Sequence, residues 1–182
     1  MKKKNTMNVI KRIYRKLFFT PYDIQARKAG VIIGRDNEIM SKFWLPSEPY
    51  LITIGDNCQI TKDVKFFTHG GAKVARIVYP SFDCFGKIKV GSNVYIGNNS
   101  LIMPGITIGN NVLIAAGSVV TKSVPDCVVI GGNPARIICS FDEYLKKNMR
   151  YNTNTKGLSI EDKKKLLLTY DDDLFIKKND MK

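Results

Sequence analysis

The stretch from residue 88 to residue 120 reads IKVGSNVYIGNNSLIMPGITIGNNVLIAAGSVV, and an aliphatic residue recurs in it every six positions. The aliphatic residues that share this phase are Val90, Ile96, Ile102, Ile108, Ile114 and Val120. Two further sets with the same spacing lie upstream. One contains Ile54, Ile60 and Phe66, and the other contains Ile33, Ile39 and Leu45. A short fixed period marks a solenoid, in which each repeat buries its apolar face by stacking on its neighbours. An ordinary sheet alternates with period two and would not keep this phase over many hexads.

Six residues supply one short strand and one tight turn, so three hexads make one triangular coil with the aliphatic residues pointing inward. The pairs Asp56-Asn57, Asn98-Asn99 and Asn110-Asn111 fit the corners, because asparagine and aspartate tolerate left-handed backbone conformations. Ile54 follows Leu45 by nine residues rather than six, which predicts a three-residue insertion at that corner. The period therefore predicts an all-β solenoid.

The composition indicates a reduced, cytoplasmic protein of one domain. The chain has 182 residues, enough for a sizeable core. Its four cysteines contain no CxxC pair and it has one histidine, so we expect no metal site. No apolar run approaches the length of a membrane span, and the N-terminus lacks the apolar core and cleavage site of a signal peptide.

The formal net charge of +13 is concentrated near the N-terminus, where residues 1–30 carry nine lysines and arginines against one acidic residue. The apolar residues at helical spacing in this arm are Val9, Ile10, Ile13 and Leu17. This pattern predicts a basic amphipathic helix, which can lie on an anionic membrane surface or pack on the solenoid or a neighbouring subunit. We favour packing, and we expect no nucleic-acid binding because no recognised module accompanies the charge.

The hexad pattern divides the chain into three parts: a basic helical arm over residues 1–30, a repeat domain over residues 31–140 and a C-terminal helical extension over residues 141–182. Residues 70–87 interrupt the hexads, and their number would also fit one complete extra coil. Because Pro80 would break strand pairing, we interpret this segment as an excursion that forms a lid or a substrate loop.

Helical signals replace the hexads after Arg136. Residues 141–149 read as a short helix. Ser159, followed by Asp162, resembles an N-terminal cap before a helical stretch over residues 163–170.

Residues 115–138, AAGSVVTKSVPDCVVIGGNPARII, contain a small-residue corner, a Val-Thr-Lys turn and a closing Gly-Asn-Pro-Ala-Arg. This stretch resembles the terminal coil of hexapeptide-repeat acyltransferases, and the match covers roughly residues 24–140. Within that family the chain most resembles the small O-acetyltransferases of capsule and O-antigen gene clusters, related to the galactoside, maltose and serine acetyltransferases. The resemblance implies a left-handed parallel β-helix, a homotrimer and acetyl-CoA as the acyl donor.

His69 is the only histidine of the sequence, and the glycine pair Gly70-Gly71 follows it. Acyl transfer to a hydroxyl needs a base that works near neutral pH, and imidazole supplies one. The catalytic histidine of the family ends a repeat beside a loop, and the resemblance assigns this role to His69. The acceptor oxygen would attack the thioester directly while His69 takes its proton. Arg76, Tyr79 and Asp83 of the loop are candidates for contacting the acceptor.

The resemblance also implies a groove for coenzyme A. Lys122 and Arg136 occupy the family positions that meet the nucleotide end, where phosphate groups require cations. Thr121 and Ala116 line the pantetheine groove of the family, and Asn98 matches a residue of the same groove near the thiol. Outside this motif Lys122 would read as an ordinary solvated lysine.

With the resemblance, the sequence predicts an acetyl-CoA-dependent O-acetyltransferase that acts on a sugar or sugar-nucleotide hydroxyl in surface-polysaccharide (capsule or O-antigen) biosynthesis. We expect it in the cytoplasm, where the basic arm could bring it to the inner membrane surface. Two other functions stay open: an N-acetyltransferase of an amino-sugar nucleotide or a xenobiotic acetyltransferase, and a non-catalytic β-helix scaffold. Carbonic anhydrases of this fold bind zinc through several histidines, and one histidine supplies too few ligands.

Overall fold

The computed structural model describes residues 21–41, 45–178 and 180. Short strands in three sheets form its centre. Sheet 1 contains, in spatial order, β1 (Ile32–Ile33), β3 (Ile52–Ile54), β6 (Ile88–Val90) and β9 (Thr107–Ile108). Sheet 2 contains β2 (Glu38–Ile39), β4 (Gln59–Ile60), β7 (Tyr95–Ile96), β10 (Leu113–Ile114), β12 (Val128–Gly132) and β13 (Ala135–Ser140). Sheet 3 contains β5 (Lys65–Phe66), β8 (Leu101–Ile102) and β11 (Val119–Val120).

The chain visits the three sheets in rotation, and strands of successive turns pair in parallel. Residues of the same phase lie over one another: Ile54 pairs with Val90, and Val90 pairs with Ile108. Their side chains are at most 4% exposed, so the predicted inward stacking is confirmed. Ile39 and Leu45 pack against this core but are only partly buried. Ile39 lies on β2, the edge strand of sheet 2, and so has a neighbouring turn on one side only.

Turns are numbered here by their strand in sheet 1, so that turn 1 begins with β1, turn 2 with β3, turn 3 with β6 and turn 4 with β9. Equivalent residues of turns 3 and 4 are 18 positions apart. Those of turns 1 and 2 are 21 apart, which accommodates the predicted insertion of three residues. Those of turns 2 and 3 are 36 apart, twice the ordinary spacing, although the two turns are directly paired. One turn's length of chain therefore lies outside the stack.

This excursion, between β5 and β6, contains the short helix α2 (Ala72–Ala75) and is closed on itself by polar contacts. Arg76 Nη2 lies 3.2 Å from Asp83 Oδ2. Arg76 Nε also donates a hydrogen bond of 2.8 Å to the carbonyl oxygen of Phe82. The segment forms a compact loop over one corner of the stack.

The corners use left-handed asparagines, as the sequence predicted. Asn57, Asn93 and Asn111 have φ angles of 52°, 58° and 55°. Their side chains form a ladder, in which Asn57 Nδ2 donates to Asn93 Oδ1 at 2.8 Å and Asn93 Nδ2 donates to Asn111 Oδ1 at 3.1 Å. At another corner the turns approach so closely that a Cβ on Gly97 would lie 2.4 Å from Ala116 N. Only glycine fits there.

Helix α1 (Tyr22–Lys28) lies at the N-terminal end of the stack, where Ala26 joins the core. The predicted amphipathic helix with Val9 to Leu17 lies outside the described residues. Within the described ranges, no helix is long and apolar enough to cross a membrane.

Helices also follow β13, which turns back antiparallel to β12. The C-terminal helices are α3 (Phe141–Met149), α4 (Ile160–Leu167) and a 3₁₀ turn (Asp172–Leu174). Helix α3 has the predicted bounds and begins with a capping box, in which Ser140 Oγ accepts from Glu143 N and the Glu143 carboxylate accepts from Ser140 N. Ser159 caps α4 as predicted, but the helix begins three residues before the predicted stretch, because the cap fixes the first turn immediately after itself.

Candidate active site

His69 lies at the corner where turn 2 passes from sheet 3 towards sheet 1. It directly follows Thr68, which is fully buried, so the stack holds the backbone in place. His69 and Phe85 form an antiparallel bridge, and Gly86 N donates to Thr68 O at 2.7 Å. The two ends of the excursion are therefore held side by side, with His69 at its base.

Glu48 fixes the orientation of the His69 ring. Glu48 Oε2 lies 2.8 Å from His69 Nδ1 and also accepts a hydrogen bond of 2.9 Å from Thr68 Oγ1. Because an ionised carboxylate only accepts, this contact requires the hydrogen on Nδ1, and a neutral ring then has its lone pair on Nε2. The Phe85 ring meets the imidazole edge-on, with ring centroids 5.6 Å apart. The His69 side chain is 36% exposed, so a ligand can reach the imidazole ring.

Glu48 was not a candidate in the sequence analysis. It lies in the insertion at the end of turn 1, just before a 3₁₀ turn (Pro49–Leu51). The insertion and His69 share a corner because each follows the third six-spaced residue of its turn, Leu45 on turn 1 and Phe66 on turn 2. One signal in the sequence could have identified Glu48. It is an acidic residue in an insertion at the same corner as the candidate histidine, one turn earlier.

A cavity of about 370 Å³ opens between His69 and the excursion. Its lining includes Ser47, Glu48, His69, Lys73, Arg76, Asp83 and Phe85. The glycine pair Gly70-Gly71 borders open space, since a Cβ built on either residue meets no atom within 4 Å. Of the loop residues predicted to contact an acceptor, Arg76 and Asp83 line this cavity, and Tyr79 is not part of the lining. The volume falls in the range of small-molecule sites.

A second cavity, of about 340 Å³, lies on the same corner two turns further along the stack. Thr121, Lys122 and Arg136 line it together, beside the apolar Val120 and Ile137. Strands β5, β8 and β11 are direct neighbours, so two strand spacings, about 10 Å along the stack, separate this level from that of His69. The structure thus brings together three of the five residues predicted to bind the cofactor.

The other two, Asn98 and Ala116, lie on successive turns at the corner between sheets 2 and 3, and both are exposed. Gly117 N donates to Asn98 O at 2.7 Å, and Asn98 Oδ1 accepts from Lys62 N at 3.1 Å. Within one chain, sheet 3 separates this pair from the cavity with Thr121.

Two comparisons decide the family. The bacterial transferase hexapeptide family (six repeats) matches residues 87–122. Protein CapG of Staphylococcus aureus is 51% identical over 145 residues, which cover 78% of this chain and 84% of CapG. The chain belongs to the bacterial hexapeptide-repeat transferases. The resemblance to hexapeptide-repeat acyltransferases, predicted from residues 115–138, is confirmed.

Two acetyltransferases are also similar to this transferase. The polysialic acid O-acetyltransferase of Escherichia coli O1:K1 / APEC is 36% identical over 152 residues. The match covers 79% of this chain but 45% of that enzyme, so the chain spans less than half of its length. The crystal structure of a maltose O-acetyltransferase from Clostridium difficile 630 matches with a TM-score of 0.54 and 34% identity, covering 61% of this chain and 59% of that one. The predicted enzyme class, an acyltransferase, is confirmed by these relatives.

Proposed function

We propose that the chain is an acetyl-CoA-dependent O-acetyltransferase that modifies a sugar hydroxyl in surface-polysaccharide biosynthesis, with His69 as the general base. The observation that carries this proposal is the contact of 2.8 Å between Glu48 Oε2 and His69 Nδ1, which puts the hydrogen on Nδ1, so that Nε2 of a neutral ring can accept a proton, in a side chain that lines an open cavity. The similar polysialic acid and maltose enzymes are O-acetyltransferases of sugars by name, which supports a sugar hydroxyl as the acceptor.

The proposed reaction is a direct transfer of the acetyl group from the donor to the acceptor. The acceptor hydroxyl occupies the cavity next to His69, and its oxygen attacks the thioester carbonyl of acetyl-CoA. Nε2 takes the hydroxyl proton as the new carbon–oxygen bond forms. When the carbon–sulfur bond breaks, the imidazolium returns this proton to the departing thiolate. Glu48 holds the ring in the required tautomer throughout and stabilises the transient positive charge.

The second cavity suits the donor. Coenzyme A carries phosphate groups, which Lys122 and Arg136 can pair with, and an extended pantetheine arm, for which Val120 and Ile137 supply apolar contacts. Thr121 adds a hydroxyl to the same wall. Because this cavity and His69 lie on one corner, a donor bound here would point along the stack towards the acceptor cavity.

We also infer a left-handed β-helix, from the family, and a homotrimer. Asn98 and Ala116 lie on a different corner from Thr121 and Lys122, so one chain alone does not assemble the predicted groove. A cyclic arrangement that sets one corner of a chain against the other corner of its neighbour would join the two groups. Light scattering should give about three times the 20.5 kDa chain mass, and a monomer mass at micromolar concentration would contradict this inference.

Incubation with acetyl-CoA and a panel of neutral, acidic and amino sugars tests the proposed function. Mass spectrometry should show one added acetyl group that mild alkali removes, because esters are alkali-labile and amides are not. An alkali-stable product formed only on amino sugars would establish N-acetylation instead. If no sugar is modified and acetyl-CoA is never consumed, the scaffold function would replace the enzymatic one.

A further inference from the structure

In the part of the chain that the structure describes, four charged side chains line the cavity beside His69, the acceptor cavity: Glu48, Lys73, Arg76 and Asp83. Glu48 is engaged by His69 and Thr68. Arg76 lies 3.2 Å from Asp83, and its Nε donates to a loop carbonyl, so this pair holds the excursion together. Among the described residues, Lys73 is the charged side chain of the cavity that takes part in no ion pair. The formal charges of these two acidic and two basic side chains cancel, but Lys73 supplies the one ammonium group of the described lining that has no carboxylate partner.

The placement of Lys73 suits contact with a ligand bound at His69. Lys73 belongs to α2, and the preceding Ala72 is only 7% exposed, so the helix is anchored against the protein. The glycine pair Gly70-Gly71 lies between His69 and this helix and leaves the space beside it open. Neither glycine has a side chain that could stand between such a ligand and the imidazole or the lysine.

A neutral sugar and an acidic sugar would affect Lys73 differently. Docking of a neutral sugar removes water from the ammonium group without supplying a counter-charge, which costs free energy. A carboxylate or phosphate on the sugar supplies that counter-charge and forms a charge-assisted hydrogen bond. The net charge of +13 also draws anionic molecules towards the protein. Phe85, 51% exposed beside His69, offers an apolar surface to the sugar ring in either case.

We propose that the acceptor sugar carries a negatively charged group, a carboxylate or a phosphate, that pairs with Lys73. This inference rests on the proposed function and defines its substrate class. It assigns Lys73 a role in acceptor selection and none in the chemical step, because the proton passes through His69.

Binding is tested first, without turnover. NMR spectra of the reductively methylated protein are titrated with glucose, D-glucuronate and glucosyl phosphate, and the Lys73 signal is assigned by its loss in Lys73→Arg. The Lys73 signal should shift saturably with at least one anionic sugar and stay constant with glucose. A response to glucuronate alone identifies a carboxylate, and a response to the phosphate alone identifies a phosphate. Equal responses to all three sugars, or no response, would overturn the inference.

Activity is tested with Lys73→Gln, and Lys89→Gln is the matched control because Lys89 is exposed on β6 and lines neither of the two cavities. The Lys73 variant should lose about tenfold in kcat/KM with acidic acceptors, the effect of one charge-assisted hydrogen bond. Its KM for acetyl-CoA should not change, and its kcat/KM with neutral acceptors should stay the same or rise, because a neutral amide loses less hydration than an ammonium group when a neutral sugar docks. Equal losses with neutral and acidic acceptors would overturn the inference while leaving the proposed function intact. Anion binding at Lys73 in a chain that never transfers acetyl groups would instead refute the proposed function.

Discussion

Replacing Glu48 with glutamine measures how far acetyl transfer depends on the orientation of His69. The amide has nearly the same size as the carboxylate, but it carries no charge and does not enforce one imidazole tautomer. The substitution removes a charge-assisted hydrogen bond of 2.8 Å, of a kind worth about 1.5–3 kcal/mol. At about 1.4 kcal/mol for each factor of ten, kcat should fall about 10- to 100-fold. Because the His69 side chain is 36% exposed and water screens the interaction, we expect the lower end of this range.

The assay follows release of coenzyme A at saturating donor and acceptor, so that kcat is measured apart from binding. Glu38→Gln is the matched control, because it alters an exposed carboxylate on sheet 2 that accepts from Gln59 Nε2 at 2.6 Å. This control should keep the wild-type kcat, and thermal melting should show that both variants are folded. Wild-type kcat in Glu48→Gln would refute the positioning role of Glu48.

Three further predictions concern the donor cavity, the core and the cysteines. Lys122→Ala or Arg136→Ala should raise the KM for acetyl-CoA about tenfold with little change in kcat, since each removes binding that ground and transition states share. Unchanged coenzyme A affinity of both variants in calorimetry would place the nucleotide elsewhere. Ile96→Ala should lower the free energy of unfolding by about 2–5 kcal/mol, because Ile96 is fully buried. Tyr95, the neighbour that points outward, is 38% exposed, so Tyr95→Ala should lower the free energy of unfolding by less than Ile96→Ala does. Equal decreases for the two variants in urea titrations would contradict the inward stacking. Burial raises the pKa of the Cys58 thiol above its usual value, so the thiol stays protonated and should react with a thiol reagent only after unfolding. Immediate labelling of all four cysteines in the folded protein would contradict this.

The core was predictable because the six-residue period is itself a consequence of stacking. Each inward residue lies over the equivalent residue of the next turn, so the phase of the sequence reports burial directly. Ile60, Ile96 and Ile114 form one such column and are all fully buried. The asparagine corners were predictable for a similar reason, since left-handed backbone positions accept few residue types.

The contact between Glu48 and His69 was not predictable from the period. Glu48 lies in an insertion and His69 at the edge of an excursion, and neither segment repeats, so their contact depends on how each folds against the stack. The ion pair between Arg76 and Asp83 is of the same kind. The sequence offered both residues as candidate acceptor contacts and gave no sign that they pair with each other.

The six-residue period also predicts that the proposed cofactor residues lie at two different corners of the coil. Ala116 follows Ile114, the second six-spaced residue of its turn, whereas Thr121 follows Val120, the third. Residues after the second and third positions face different corners of a triangular coil. The family resemblance assigned both residues to one cofactor groove, but it did not say whether they come from the same chain.

The rate of acetyl transfer by His69→Asn tests the central claim most directly. Asparagine can keep a polar contact with Glu48, but it has no counterpart of the free Nε2 nitrogen. The account predicts that kcat with a hydroxyl acceptor falls about 10²- to 10⁴-fold, the usual loss on removing a general base. Coenzyme A affinity and oligomeric state should stay as in the wild type, because His69 is not part of the lining of the donor cavity. If the variant keeps most of the wild-type rate at neutral pH, His69 is not the base and the proposed mechanism is wrong.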